Sequence, residues 1–399
     1  MGMQENNQRL RSIDDLDVKN KKVLVRVDFN VPVKKGKVTD DTRIRASLPT
    51  IQQLLAAGAQ VLLMTHLGRP EEGVYDEKYS LQPVASHLAR LLGEDVPLAH
   101  NWRRDKTAIP AGRVVMLENV RFEIGEAENA DDLARYMASL CDIYVNDAFA
   151  TAHRAQVSTH GVAKFAPQSC AGPLIMQEVT ALTRALANPE RPLIAVVGGA
   201  KVSTKLTILE SLLSVVDQLI VGGGIANTFL AAAGYAIGQS LHEPDLVDVA
   251  RQLLDKATAQ GKAIPLPTDV ICGKSFDEAT VATIKPVAAI GLDDMIMDVG
   301  PDTARAYTGL LRQAKTIVWN GPLGVFEFKQ FSQGTRLMAE AIAGSDAFSI
   351  AGGGDTLAAI AEFGISDKLS YISTAGGAFL EFLEGKELPA IAILKQKSA

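Results

Sequence analysis

Short apolar runs alternate with amphipathic stretches along almost the whole chain, and no other feature constrains the fold as tightly. KVLVRVD (22–28), QVLLMTH (60–66), RVVMLEN (113–119) and DIYVND (142–147) are strand candidates in the first half. LIAVVGG (193–199), QLIVGGG (218–224), AIPLPTD (263–269), TIVWNGP (316–322), AFSIAGG (347–353) and YISTAGG (371–377) are their counterparts in the second. Between them run helical patterns such as RIRASLPTIQQLLAAG (43–58), where apolar residues recur at three and four and Gly58 supplies the stop. Near-continuous apolar strands separated by amphipathic helices predict parallel sheets covered on both faces, an α/β fold. One segment, QEVTALTRALANPERP (177–192), breaks the alternation: a helix closed by Asn-Pro and Arg-Pro directly before the strand at Leu193. It predicts two doubly wound domains, residues 1–172 and 191–385, joined by a connecting helix and hinge over 173–190.

In open parallel sheets ligands bind beyond the carboxyl ends of the strands, so the residues following each strand carry the functional argument. In the first half these are DFN (Asp28, Phe29, Asn30), HLGRP (His66, Leu67, Gly68, Arg69, Pro70), ENVRF with Arg121, and NDAFATAHR with His153 and Arg154. Arg43, in TDDTRIR, joins them from a helix start. Arginine forks suit bidentate capture of carboxylate and phosphate, and Asp28 and Asn30 add partners for hydroxyls. Each arginine alone reads as a surface ion-pair partner. Arg69, Arg121 and Arg154 together, each after a strand end, predict a pocket for a small, multiply anionic, hydroxylated metabolite.

The second half differs in kind. GGAK (Gly198 to Lys201), GGGIANTF (opening on Gly222, Gly223 and Gly224), NGPLGVFE (Asn320 to Glu327), GGGDT (Gly352, Gly353, Gly354, Asp355, Thr356) and AGGAF (with Gly376) offer backbone rather than charge. Glycine lets a main chain approach a ligand closely, and a helix starting after such a turn adds unpaired N–H groups and its dipole. One such turn is explained by geometry alone; four on one edge predict a polyanion or a nucleotide. Lys201 and Lys205 bracket the first turn and can present two ammonium groups to one phosphate, although the P-loop spacing is absent. Asp355 has two readings of equal weight: the N-cap of the helix TLAAIAEF, or a ligand to Mg²⁺ that offsets its charge among amides aimed at phosphate.

Composition excludes several function classes. The net charge of -6 argues against a nucleic-acid or anionic-membrane partner. No run approaches the roughly 18 apolar residues of a membrane span. The N-terminus MGMQENNQRLRSIDDLD is polar and mixed in charge, unlike a secretory signal, and lacks the Ser or Thr of a myristoylation site. Cys141, Cys170 and Cys272 lie far apart in apolar settings, as buried reduced thiols of a cytoplasmic protein do.

Taken in order, VRVDFNVP, TRIRASLPTI, HLGRP, ENVRF, NDAFATAHRA, VGGAKVSTK, VGGGIANTF, WNGPLGVFE, AGGGDT and STAGGAF resemble the motifs of the phosphoglycerate kinase family, from about Ile13 to Leu394. The resemblance implies two Rossmann-like domains of similar size in a hinge-bending monomer, with residues 386–399 returning to the N-terminal domain. It implies reversible phosphoryl transfer from 1,3-bisphosphoglycerate to ADP, giving 3-phosphoglycerate and ATP. Asp28, Phe29, Asn30, Arg43, His66, Leu67, Gly68, Arg69, Arg121 and Arg154 would form the phosphoglycerate site. Lys201, Lys205, Gly222, Gly223, Gly224, Asn320, Glu327, Gly353, Gly354, Asp355 and Thr356 would form the nucleotide site, with Glu327 on ribose hydroxyls and Asp355 on Mg²⁺. Arg43, Lys205, Gly353 and Gly376 would surround the moving group. Two positions depart from many members: Thr204 stands where Asp is common, and Ala375 where Gly is.

The acceptor in the ATP-consuming direction is a carboxylate, already ionised, so this chemistry needs positioning and charge neutralisation rather than a general base. With one site on each domain, the domains would have to close. A nicotinamide-dependent dehydrogenase is the rival enzyme class, but GGGIANTF has no properly spaced third glycine. A non-catalytic nucleotide-binding scaffold is the other alternative, and it predicts no turnover.

Overall fold

The computed structural model describes residues 9–104 and 109–398. Met1 to Gln8, which carry part of the N-terminal signal reading, lie outside that range. Among the described residues no helix is long and apolar enough to cross a membrane. The chain divides into two units, residues 1–179 with 387–399, and residues 180–386.

The first unit contains β1 (Lys22–Arg26), β2 (Val33–Lys34), β3 (Lys37–Val38), β4 (Gln60–Met64), β5 (Leu98–Ala99), β6 (Val114–Leu117), β7 (Ile143–Asn146) and β8 (Gln168–Ala171). Apart from the β2–β3 hairpin these form one parallel sheet in the order β5-β6-β4-β1-β7-β8. The central strands are buried on both faces, which is why they read as unbroken apolar runs. Helices α1 (Thr42–Ala56), α2 (Gln82–Leu92), α3 (Asp131–Ala138) and α4 (Val162–Phe165) provide the cover. In α1 the buried Ile44, Ser47, Ile51, Leu54 and Leu55 follow the helical period, and Gly58, at φ 84°, lies just past its end. Pro49 stands inside α1 on its exposed side. Helix α5 (Pro173–Leu186) contains the division between the units.

The second unit has a parallel sheet of β9 (Leu193–Gly198), β10 (Gln218–Gly222), and the later β14 (Thr316–Asn320), β15 (Phe348–Gly352) and β16 (Tyr371–Ser373), in the order β10-β9-β14-β15-β16. Between β10 and β14, β11 (Asp269–Gly273), β12 (Thr283–Pro286) and β13 (Met295–Val299) form a separate antiparallel sheet. The sequence reading did not separate this sheet. It also placed a strand over AIPLPTD, whereas only Asp269 belongs to one and Ala263 makes an isolated bridge to Gln218. Two prolines in that segment remove ladder donors, and the strand begins after them. The helices are α6 (Leu206–Val215), α7 (Gly223–Ala232), α8 (Val247–Ala259), α9 (Pro301–Gln313), α10 (Gln333–Ala343), α11 (Gly354–Phe363) and α12 (Gly376–Leu383). Trp319 of β14 is fully buried in this unit's core.

The last helix, α13 (Pro389–Ser398), belongs to the first unit, where it packs on β8 and α4. Ala390, Ile391, Ile393 and Leu394 are its buried face. The Ala390 N–H donates to Ala152 O at 3.2 Å, and Ser398 Oγ accepts the Arg11 N–H at 3.0 Å.

Candidate active site

Strands β6, β4, β1 and β7 are neighbours, so the residues after their carboxyl ends meet at one edge of the first unit. Arg43, in the first turn of α1, donates from Nη1 to Asp28 Oδ2 at 2.6 Å. Asn30 Oδ1 accepts the Gly68 N–H at 2.9 Å, and Arg121 Nη1 donates to Gly68 O at 2.5 Å. These bonds tie three of the expected segments together. Gly68, at φ 62°, makes a turn that a side chain would strain, and an added Cβ would strike the Tyr79 ring at 2.3 Å. Phe29 and Leu67 play a different part. Both side chains are in the hydrophobic core, and the Phe29 N–H and C=O are committed to Thr65 Oγ1 and the Val31 N–H. Their side chains brace the edge from behind.

The electrostatics are those of an anion site. Burial, and then the charges of Arg154, Arg26 and Arg69, push Arg121 down to about 10, with Glu126 opposing. His66 is buried, and burial followed by Arg26, Arg121, Arg154 and Arg43 holds its pKa well below the usual imidazole range. Cations gathered in this way lower their own mutual repulsion by taking up an anion. Arg26 was missed from sequence. Its signal was present: a charged residue inside an otherwise apolar run, at a strand position covered on both faces.

In the second unit Lys205 caps α6 and its ammonium reaches the strand ends. Nζ donates to Gly198 O at 2.6 Å, Asn320 Oδ1 at 2.6 Å and Asn320 O at 3.2 Å. An ammonium has three hydrogens, so an incoming phosphate oxygen must replace one of these acceptors. Burial pulls Lys205 down to about 8, with the Asp355 carboxylate opposing. Asn320 Nδ2 also donates to Gly352 O at 2.7 Å. Thr356 is buried and its Oγ1 accepts the Gly321 N–H at 2.8 Å.

Helices α6, α7, α11 and α12 all start at this sheet edge, and none has a side-chain cap. Two of these starts are available to an anion, because among the described residues the N–H groups of Gly353, Gly354 and Gly376 have no hydrogen-bond partner. The start of α7 is partly taken up: the N–H groups of Gly223 and Ile225 donate to Leu323 O and Gly199 O. Gly223 and Gly224 instead form the wall of a cleft of about 280 Å³, bordered also by Pro322, Met295, Glu327 and Asp355. Lys201, Glu327, Gly354 and Asp355 are exposed at this edge.

Asp355 is not the N-cap that one of its two readings made it. Gly353 takes that position at φ 100°, a conformation that favours glycine, and Asp355 falls in the first turn of α11. Lys205 is the residue directly before α6.

A basic pocket at one parallel-sheet edge and a glycine-lined, lysine-centred cleft at another match the comparisons with known proteins. The family model described as phosphoglycerate kinase matches residues 13–386. The phosphoglycerate kinase from Coxiella burnetii is 55% identical with a TM-score of 0.95, covering 98% of this chain and 100% of that one. The enzyme from Pyrococcus horikoshii OT3 is 35% identical with a TM-score of 0.78, covering 97% of this chain and 98% of that one. The chain belongs to the phosphoglycerate kinase family, glycolytic enzymes that transfer a phosphoryl group to a carboxyl acceptor.

Proposed function

We propose that the basic edge of the first unit binds the phosphoglycerate and the glycine-rich edge of the second binds ATP or ADP with Mg²⁺. The observation that carries the assignment is Lys205, a half-buried ammonium held at the strand ends beside two helix starts with free N–H groups. Such an arrangement neutralises phosphoryl oxygens as charge moves across them. Lys205 and the amides of Gly353 and Gly376 act on the transferred group, and Lys201 supports the nucleotide phosphates. The apolar cleft walled by Gly223 and Gly224 takes the base, with Glu327 at the ribose. In the first unit Arg43, His66, Arg69, Arg121 and Arg154 hold the phosphate and carboxylate, and Asp28 and Asn30 hold the hydroxyl. Arg43 also faces the reacting carboxyl group. The acceptor carboxylate needs no deprotonation, which agrees with a first site furnished by arginines and a neutral imidazole.

The residues present fit a metal ion that arrives with the nucleotide. Among the described residues no group of three His, Cys, Asp or Glu forms a cage, whereas Mg²⁺ commonly takes one or two carboxylates plus phosphate oxygens. Asp355, exposed beside the free amides of α11, supplies one carboxylate. Bound Mg²⁺ would offset phosphate charge there. Asp355→Asn should raise the Mg²⁺ concentration needed for half-maximal activity by about tenfold, as loss of an ionic ligand does, with the melting temperature unchanged. An unchanged Mg²⁺ dependence would remove Asp355 from the metal site.

The protein works on small molecules as a cytoplasmic monomer in this reading; the buried, unpaired state of Cys141, Cys170 and Cys272 supports the compartment. The test of the whole assignment is ADP release from ATP with and without 3-phosphoglycerate, in a coupled assay. Release that depends on 3-phosphoglycerate is expected; release indifferent to it would overturn the assignment.

A further inference from the structure

Behind the basic edge lies a chain of buried polar groups that contact with substrate does not explain. Glu126 is 1% exposed, and among the described residues its two oxygens accept from Ser158 alone: Oε1 from the Oγ–H at 2.5 Å and Oε2 from the N–H at 3.0 Å. A serine hydroxyl has one hydrogen. With that hydrogen given to Glu126, Oγ is left to accept, and it accepts the Arg26 Nε–H at 3.0 Å. Arg26, also 1% exposed, donates from Nη1 to Val27 O and directs Nη2 at His66 Nδ1, 3.0 Å away.

The protonation of His66 follows from this order. A guanidinium has no acceptor, so Nδ1 must accept and carries no hydrogen. The neutral ring then holds its hydrogen on Nε2, which has no protein partner among the described residues. A protonated ring would set two donors against each other. We propose that Ser158 and Glu126 are positioning residues of the phosphoglycerate site, anchoring Arg26 so that it fixes His66 with Nε2–H free to donate to the anion. The inference rests on the assignment of the basic edge to that substrate.

The local fold supports it. Ser158 is on a π-helical turn, Val157–Gly161, which brings its N–H and hydroxyl to one carboxylate. The Tyr144 hydroxyl, from β7, braces the same turn by donating to Ser158 O at 2.8 Å. Burial pushes the Glu126 carboxyl up to about 7, with the Ser158 bonds and Arg26 opposing. A carboxyl held at that cost is otherwise unused by the fold.

The test combines histidine-labelled NMR with steady-state kinetics on Ser158→Ala and Glu126→Gln, the second keeping side-chain shape. In the unaltered protein long-range ¹H–¹⁵N spectra should show His66 protonated on Nε2 alone. In Ser158→Ala the two tautomers should mix, and KM for 3-phosphoglycerate should rise about tenfold, the effect of one lost buried hydrogen bond. KM for ATP should stay the same. Glu126→Gln should give a smaller change in the same direction. An unaltered His66 tautomer in both variants would overturn the positioning role. A mixed tautomer with unchanged KM for 3-phosphoglycerate would instead overturn the assignment of the basic edge.

Discussion

Replacing Lys205 by alanine should lower turnover by about a thousandfold or more, the scale on which preorganised charge acts in phosphoryl and acyl transfer. Nucleotide KM should change little, because the interaction is made mainly in the transition state. The pH dependence supplies an independent check. Lys205 is a cation whose pKa is lowered to about 8, so in the free protein it is charged below that pH and neutral above it. kcat/KM for the nucleotide, which reports the free enzyme, should therefore fall as pH rises through about 8. kcat should fall over a similar range, since an interaction made mainly in the transition state leaves the pKa of the bound complex close to that of the free protein. A loss of turnover below about tenfold in Lys205→Ala would refute the role given to this side chain. So would a kcat/KM that is flat on the alkaline side.

The second large effect concerns stability. A Cβ added at Gly198 would lie 1.8 Å from Pro322 O, and one at Gly224 2.1 Å from Ala200 O. Both obstacles are backbone, and neither can rotate away. Gly198→Ala should cost about 3 kcal/mol or more, the upper end for overpacking, or leave the second unit unfolded. Gly354 is the contrast: an added Cβ there meets nothing within 4 Å. Gly354→Ala should keep stability within about 0.5 kcal/mol, as substitutions in open space do. Its effect should fall on nucleotide KM instead, because the new methyl group crowds a helix start that has no cap. Thermal melts of the two variants separate these outcomes, and a Gly198→Ala protein that melts like the parent would refute the packing argument.

That contrast also explains what the sequence could and could not yield. The parallel sheets were legible because strands buried on both faces read as apolar runs, as β9 does throughout and β1, β4 and β14 do at their inner positions. The two ligand edges were legible because chemistry follows the strand ends. The division of labour among the glycines was not. GGAK and GGGIANTF read as anion cradles, yet Gly198 and Gly224 are there so that backbones can touch, and the Gly223 and Ile225 N–H groups are spent on neighbouring carbonyls. Contact between segments distant in sequence decides this, and no local pattern encodes it. The same limit hid Glu126 and Ser158, whose partners come from separate segments. The cap reading of Asp355 failed for a different reason. Aspartate is a favoured cap, but a glycine at positive φ had already taken the position.

Helix α13 has a consequence for how the protein is made. The first unit needs residues 387–398 over β8 and α4, and a ribosome delivers them only after the whole of residues 180–386. Early in synthesis, the nascent chain therefore exposes the apolar surface that Ile391, Ile393 and Leu394 will cover. The second unit, continuous in sequence, can fold during translation, while the half made first must wait for the last helix. Because α13 also packs on the π-helical turn that carries Ser158, a nascent chain would gain its finished anion pocket only after residues 180–386 had been made.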